Sequence, residues 1–470
     1  MNSIFKNSLI YTLGEILPKI SSFLLLPVFT RYLSTEEYGI LSYTESFMLL
    51  FSVLGTLGLN SYALRYYFER KDEESRKLLI GTVYMVIGIA NVILLVIGFI
   101  TFPKLIEKYS IQVPWYPFFL LAIINNFLSS FNSIPLVVYR VRQDSTKYVA
   151  LNFSRFFLQL LLNICFVVFL EKGILGYYIS TLIVNVPYFF VYLAIIKNVA
   201  CFRISYNYVK EGLKFSLPLL PGSISFFFLT VADRIILERY VSLSDMGIYN
   251  IAISLSGALG MVIQSGYHAI EPEMFNKYAQ PDYFPFIKKT QAYYFSAIYV
   301  MAMTIALYSQ EVFAIMTAPS FHKGYHLVPI ILIGIVMSGQ NIIYDGVLSA
   351  EKRTKIIGAI SIIGACISLV FNVLVIPYLG TIAAALSRMV SYVIMNVILF
   401  AAMTYPGKSI SKELFSTLIL FIIPHIVFLL FPEISMLGLV VKLLIILFFS
   451  FLLIKMYNID IKGLGFLIKY

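Results

Sequence analysis

The sequence predicts an all-α polytopic membrane protein, with about fourteen transmembrane helices in two parallel six-helix lobes and two extra C-terminal helices. Composition is the first observation behind this prediction. Of the 470 residues, 60% are hydrophobic and only 13% are charged, and the mean hydropathy is +0.87. Globular domains are roughly half apolar and about a quarter charged. An internal repeat is the second observation, and it predicts the two lobes.

Apolar runs long enough to cross a bilayer fill nearly the whole chain. A spanning helix needs about 20 such residues. The first run shows no small-residue cleavage site, so it is predicted to be a span and not a signal peptide. The predicted spans lie at roughly 8–30, 39–62, 79–102, 116–139, 148–170, 174–196, 214–237, 247–269, 291–313, 327–349, 356–377, 381–403, 414–431 and 437–456.

Basic residues are divided unequally between alternate loops. One set of loops, together with both termini, carries most of the Lys and Arg, and the other set has only Arg31, Lys104, Lys108, Lys172, Arg239 and Lys323. The positive-inside rule places the richer set, and therefore both termini, in the cytoplasm. The net charge of +11 resides in these short loops, so it indicates membrane topology and not nucleic-acid binding.

The internal repeat is clearest at two nine-residue segments. Arg31–Gly39 (RYLSTEEYG) recurs as Arg239–Gly247 (RYVSLSDMG) at an offset of 208 positions. Each half holds six predicted spans, an even number, so both halves have the same orientation in the membrane. Both segments have capping-box spacing, which predicts a helix start, and both end in a glycine that allows close helix packing.

These patterns divide the chain into three parts. Residues 1–200 are predicted to form the first lobe, 201–405 the second lobe, and 406–470 the accessory helices 13 and 14 with a cytoplasmic tail. His425 and Lys442, in the last two spans, have no polar companions at helical spacing. We therefore expect this pair of helices to face lipid.

Candidate functional residues are the ionisable side chains inside spans. Each costs about 2.5–3.5 kcal/mol at the middle of a helix, and so should face the bundle interior or water. Polar stripes occur on many spans, which predicts a hydrated cavity between the halves. The alternative for any single polar residue is helix–helix hydrogen bonding.

The charged residues divide into two candidate groups. Glu15 and Lys19 are four residues apart and could neutralise each other, whereas Arg155 and Arg388 have no acid nearby on their own helices. Arginine grips phosphate groups through two parallel hydrogen bonds, so an excess of internal cations suits an anionic substrate. The predicted substrate-binding cations are Lys19, Arg155, Arg234 and Arg388. The acids predicted to couple transport to a proton or another cation are Glu15, Glu45, Asp233 and Asp345.

The sequence shows no bond-breaking chemistry. A phosphate-cradling glycine-rich loop is absent, which argues against ATP hydrolysis. His322 and His326 have no third ligand nearby in sequence, and the three cysteines are isolated, so we expect no metal site, no cofactor and no catalytic residues.

The chain resembles the polysaccharide-repeat-unit (Wzx-type, O-antigen or capsule) flippases of the MATE-like (MOP) flippase superfamily. The resemblance rests on the fourteen-span plan, on RYLSTEEYG after span 1, and on VADRIIL (Val231–Leu237) followed by RYVSLSDMGIYN. It implies ion-coupled alternating access, with H+ or Na+ as the coupling ion. It also implies transfer of undecaprenyl-pyrophosphate-linked oligosaccharide from the inner to the outer leaflet of the bacterial cytoplasmic (inner) membrane. Arg155 and Arg388 would then hold the pyrophosphate, with Lys19 assisting. A glycan polymerase would be a partner in the synthesis of O-antigen, as in lipopolysaccharide, or of capsule.

Three alternative functions remain open. A lipid II flippase has the same general plan, and no residue excludes it. A MATE-type drug exporter usually has twelve spans and prefers cationic drugs, which the internal Lys and Arg oppose. A membrane-bound glycosyltransferase or ligase would need a large external loop or catalytic acids, and no loop here is long enough.

Overall fold

The computed structural model describes residue 23 and residues 25–278, 280–403 and 411–459, and all of its regular structure in these ranges is helical. The all-α prediction is confirmed. The α-helices are α1 Leu26–Tyr32, α2 Thr35–Thr56, α3 Leu59–Tyr66, α4 Glu73–Tyr109, α5 Leu120–Ser130, α6 Ser133–Val141, α7 Ser145–Asn163, α8 Gly173–Val199, α9 Tyr206–Ser216, α10 Leu220–Thr230, α11 Ala232–Leu237, α12 Leu243–Lys277, α13 Tyr283–Leu307, α14 Ser309–Met316, α15 Val328–Ala350, α16 Thr354–Ala402, α17 Ser411–Leu430 and α18 Met436–Tyr457. Short π-helical turns at Trp115–Phe119 and Ile164–Phe169 precede α5 and follow α7, and 3₁₀ turns at Leu217–Leu219 and Pro319–Leu327 precede α10 and α15.

The described ranges contain eleven helical stretches long and apolar enough to cross a membrane, or twelve when α13 and α14, bent by 60° at their junction, are taken as one span. The 49-residue α16 is two helices that meet at Gly380, where φ is 54° and ψ is −129°. This kink separates the predicted spans 356–377 and 381–403. Most of the first predicted span lies outside the described residues, so the count of fourteen is not confirmed.

Local sequence sets several helix starts. The predicted capping box is present at α2, where the Ser34 hydroxyl accepts from the Glu37 amide and the Glu37 carboxylate accepts from the Ser34 amide. Asp72 caps α4 and accepts hydrogen bonds from the backbone and the hydroxyl of Ser75, which hold the pKa of this carboxyl below its usual range. Negative charge at a helix N-terminus also complements the helix dipole.

Two predicted spans are broken in ways that their hydropathy did not indicate. The run 39–62 ends its helix at Thr56, because Leu57 and Gly58 both take left-handed conformations, with φ of 50° and 67°. The run 214–237 breaks between α10 and α11 at Val231, where φ is −138° and ψ is −28°. A break inside a spanning helix frees backbone carbonyls that must find other donors.

By contacts the chain divides into two compact units. Unit 1 runs through Phe227 and includes Val241–Gly247, and unit 2 comprises Phe228–Tyr240 and the chain from Ile248 onward. The predicted lobe boundaries at 200 and 405 stay a prediction.

Inside unit 1 the glycine ends of the two repeated segments pack closely. A Cβ atom at Gly39 would collide with the Leu243 carbonyl oxygen, and one at Gly247 would collide with the Thr35 carbonyl oxygen. The hydroxyls of Thr35 and Ser244 lie 2.7 Å apart. The expected close packing at these glycines is therefore present, backbone against backbone.

The C-terminal helices α17 and α18 pack against α13 of unit 2, and Lys442 corrects one expectation. Its side chain is 1% exposed, and its ammonium donates to Glu311 on α14 over 2.5 Å. Lys442 has no polar companion at helical spacing, as its sequence shows, but its partner lies 131 positions away, so the expectation that this pair of helices faces lipid does not extend to Lys442. Gln310 adds a hydrogen bond of 2.6 Å to the Pro432 carbonyl, so α18 and the loop before it are attached at the bend between α13 and α14.

Candidate functional site

Of the eight predicted site residues, Glu15 and Lys19 lie outside the described residues. The other six are distributed over both units. Arg155 and Glu45 belong to unit 1, and Asp233, Arg234, Asp345 and Arg388 belong to unit 2.

Arg155 lies on α7 and is partly buried. Its Nη2 donates to Oδ1 of Asn185 on α8 over 2.8 Å. Within the described ranges no carboxylate lies within ion-pair distance of its guanidinium. A cation in a membrane-spanning helix is normally paired or exposed to a water-filled space, so this guanidinium has positive charge to offer to an anion.

Two other polar residues of α7, Gln159 and Asn163, have a structural role. Gln159 donates to Asn163 over 2.8 Å and to Thr181 of α8 over 3.1 Å. Ser180, also on α8, donates to Asn163. Such interhelical bonds satisfy polar groups in an apolar setting, so the helix-packing alternative holds for Gln159 and Asn163.

In unit 2 the broken span at Val231 organises a second charged group. The carbonyl of Thr230, the last residue of α10, accepts from Arg388 Nη2 over 2.6 Å. The carbonyl of Phe228 accepts from the Ser368 hydroxyl over 3.1 Å. Arg388 therefore places a positive charge at the carboxyl end of a half-helix, where the helix dipole favours it.

Asp233 is 6% exposed and fully engaged within unit 2. Its Oδ1 accepts from the Arg234 backbone amide over 2.9 Å, and its Oδ2 accepts from the Tyr249 hydroxyl over 2.5 Å. Arg234 and Arg388 both lie close enough to Tyr249 to interact with it electrostatically. The structure thus brings together three of the predicted residues, Asp233, Arg234 and Arg388, around one tyrosine.

The two remaining acids differ in their surroundings. Asp345 on α15 is partly buried close to Tyr267 and Tyr392, and no described residue gives it a hydrogen bond or an ion pair. Tyr392 also interacts with Arg388. Glu45 on α2 is exposed and accepts from the Tyr177 hydroxyl over 3.4 Å. Of these two acids, Asp345 is the one to which no described residue gives a hydrogen bond or an ion pair.

Sequence reasoning missed the partners of these charges. Asn185 is a single amide in the apolar run TLIVNVPYFF, and an isolated amide of this kind is a signal that could have been used. Tyr249 lies in the quoted RYVSLSDMGIYN but was not singled out. Among the described residues no group of three or more His, Cys, Asp or Glu side chains is arranged to hold a metal ion.

Comparisons with known proteins identify one family and two relatives of this chain. The family model described as "Polysaccharide biosynthesis protein" matches residues 4–276. A protein of the Lsg locus of Haemophilus influenzae is 25% identical over 398 residues, covering 81% of this chain and 95% of that protein. An uncharacterized membrane protein of the same organism is 25% identical over 287 residues, covering 59% of this chain and 67% of its own.

The fold is similar to those of solved membrane transporters. The lipid II flippase MurJ, in an inward closed conformation, superposes with a TM-score of 0.70 at 16% identity, covering 96% of this chain and 98% of that chain. An inward-facing multidrug resistance MATE family transporter of the MOP superfamily gives a TM-score of 0.59 at 15% identity, covering 83% and 92%. At these identities the likeness concerns the fold.

Proposed function

The chain belongs to the polysaccharide biosynthesis protein family, and from that premise we propose that it is a flippase for lipid-linked oligosaccharide. The family and the fold are those of transporters and flippases, not of enzymes. The resemblance found in the sequence is thereby confirmed at the level of the family and the fold.

The proposed substrate is an undecaprenyl-pyrophosphate-linked repeat unit, moved from the inner to the outer leaflet of the bacterial inner membrane. The observation that carries this proposal is the guanidinium of Arg155, which no carboxylate of the described residues neutralises. A pyrophosphate offers paired oxygens to such a group. Arg234 and Arg388 in unit 2, and Lys19 outside the described residues, are further proposed substrate-binding cations.

Ion coupling is the second part of the proposal. A protonatable carboxylate that gains or loses a proton biases a two-state equilibrium only if the two states differ in affinity for that proton. Asp345 supports this role because no described residue gives it a hydrogen bond or an ion pair. Asp233 is the next candidate because it accepts from the Tyr249 hydroxyl, with which Arg234 and Arg388 also interact. Glu45 and Glu15 complete the proposed set, with H+ or Na+ as the ion.

The proposed test uses cells that lack the protein. We expect lipid-linked glycan to accumulate in the inner leaflet and surface O-antigen or capsule to disappear, while peptidoglycan synthesis continues. Unchanged export of the glycan would overturn the proposal. A glycan polymerase that acts on the exported unit is the proposed partner.

The lipid II flippase is the one alternative that a specific observation favours, namely the likeness to MurJ. Rescue of cells depleted of their own lipid II flippase separates the two substrates, since our proposal expects no rescue. A MATE-type drug exporter is disfavoured because the Arg155 guanidinium, with no carboxylate of the described residues beside it, suits an anion better than a cationic drug.

Arg155→Ala tests the site itself. We expect glycan export to fall at normal protein level, since the alanine removes the cation and leaves the helix intact. Arg65→Ala is the matched control and should leave export unchanged. Unlike Arg155, Arg65 is paired with an acid, since its Nε lies 3.9 Å from Oε1 of Glu69, and its side chain is 64% exposed. Full export by Arg155→Ala would remove Arg155 from the mechanism.

A further inference from the structure

A chain of buried amides stands behind Arg155 in unit 1. Asn185 of α8 is 3% exposed and Asn125 of α5 is 7% exposed. Asn185 accepts from Arg155 over 2.8 Å, and its own nitrogen donates to Oδ1 and to the backbone carbonyl of Asn125 over 3.0 and 3.3 Å. Asn125 in turn donates to the Tyr178 carbonyl over 3.1 Å.

The orientation of both amides is fixed at the Tyr178 end of this hydrogen-bond network. A backbone carbonyl can only accept, so Tyr178 requires Asn125 to present its nitrogen there and its oxygen to Asn185. Asn185 must then present its nitrogen to Asn125, which leaves its oxygen facing Arg155. The hydrogen-bond network therefore determines which way both amides face.

The partner of Arg155 is polar but neutral. An aspartate of the same shape would also accept from the guanidinium, but it would cancel the positive charge. Asn185 uses one of the five guanidinium N–H donors, and no other bond from this guanidinium to a described residue is present. The amide thus fixes the direction of the side chain while its charge and most of its donors remain available.

We propose that Asn185, supported by Asn125, is a positioning residue that holds the Arg155 guanidinium oriented and un-neutralised for a pyrophosphate group. This inference rests on the proposed function, in which Arg155 contacts the head group of the substrate. Pyrophosphate can come from a lipid carrier or from solution, and the carrier is the source expected for a group inside a membrane-spanning unit.

The experiment measures labelling of Arg155 by phenylglyoxal in the full-length protein, reconstituted in phosphatidylethanolamine vesicles and read by mass spectrometry of the Arg155 peptide. Two probes are compared, inorganic pyrophosphate and an isoprenyl pyrophosphate incorporated in the vesicles. In the wild type we expect the isoprenyl pyrophosphate to protect Arg155, and inorganic pyrophosphate to protect it only at higher concentration.

Two substitutions of Asn185 separate positioning from simple packing. Asn185→Asp keeps the shape of the side chain and adds a salt bridge to Arg155. If Asn185 served packing alone, this variant should impair the protection of Arg155 less than Asn185→Ala does. Our proposal expects the reverse order. Protection in Asn185→Asp should need at least about tenfold more isoprenyl pyrophosphate, a free-energy change of about 1.4 kcal/mol, with a smaller loss in Asn185→Ala. Thr181→Val removes a neighbouring bond between α7 and α8 and should behave as the wild type.

The outcomes distinguish this inference from the proposed function. If Asn185→Asp is protected as well as the wild type, or if Asn185→Ala is the more impaired variant, the positioning role is refuted and Arg155 keeps its place. If neither probe protects Arg155 in the wild type, both the positioning role and the contact of Arg155 with pyrophosphate are refuted. Should Asn185→Asp fail to elute as a folded protein, Asn125→Leu tests the same support, and protection equal to the wild type would again refute it.

Discussion

Replacing Lys442 with methionine is expected to destabilise the protein strongly, because it breaks a buried ion pair and leaves one charge behind. The Lys442 ammonium lies 2.5 Å from Glu311, and the two side chains are only 1% and 13% exposed. Removing one partner of such a pair costs about 3–5 kcal/mol. That loss corresponds to a change of roughly two to three and a half powers of ten in the unfolding equilibrium constant, at about 1.4 kcal/mol for each power of ten.

The double variant Lys442→Met/Glu311→Leu makes the expectation more specific. It removes both charges and fills their space with apolar groups, an exchange that is often neutral or even stabilising by about 1–4 kcal/mol. We therefore expect the double variant to recover most of the stability lost in Lys442→Met. Lys455→Met is the matched control, since Lys455 lies on the same helix, is exposed and contacts the ring of Phe451.

The assay is reversible unfolding of the purified protein in mixed micelles of increasing denaturing-detergent content, followed by the loss of helical signal. The measured quantity is the free energy of unfolding of the wild type, of each single variant and of the double variant. Lys442→Met unfolding like Lys455→Met, or a double variant as unstable as the sum of its single changes, would refute the reasoning that the pair is a coupled, desolvated contact.

Two further substitutions test contacts described above. Gly39→Ala should lower the free energy of unfolding by about 1–3 kcal/mol, the usual range for overpacking, because its Cβ would meet the Leu243 carbonyl. The control is Gly257→Ala, which should be neutral or slightly stabilising because no atom lies near its Cβ. Equal stability of the two variants would contradict the contact at Gly39. Tyr249→Phe removes only the hydroxyl that donates to Asp233. It should lower the free energy of unfolding by about 1.5–3 kcal/mol, the range for a hydrogen bond to a charged group. A variant as stable as the wild type would contradict this hydrogen bond.

Much of the architecture was predictable because hydropathy is a local property of the chain. The apolar runs predicted an all-α polytopic protein, and the spacing of Ser34 and Glu37 predicted a capped helix start, since both partners lie within one turn. Helix breaks were harder to predict. Gly380 falls in a gap between two predicted spans, but the breaks at Leu57 and Val231 lie inside apolar runs, where hydropathy carries no sign of a change in backbone conformation.

The chemistry of the candidate site was less predictable, because it depends on which helices are neighbours. Arg155 was identified as a cation without an acid on its own helix, but its neutral partner Asn185 is 30 positions away. Glu311 and Lys442 are separated by 131 positions, and neither helix alone indicates the pair. Sequence periodicity shows which face of a helix is polar, but it does not show whether that face meets a ligand, water or another helix.

Glu37 shows that the two copies of the repeated segment differ in what their acid binds. One oxygen of its carboxylate accepts from Ser34 within the capping box, and the other accepts from the backbone amide of Ile174 at the start of α8 over 2.7 Å. The corresponding Asp245, one methylene shorter, bonds the Ser242 hydroxyl over 2.7 Å. The extra methylene at position 37 therefore lets one carboxylate serve two helix starts at once, that of α2 and that of α8.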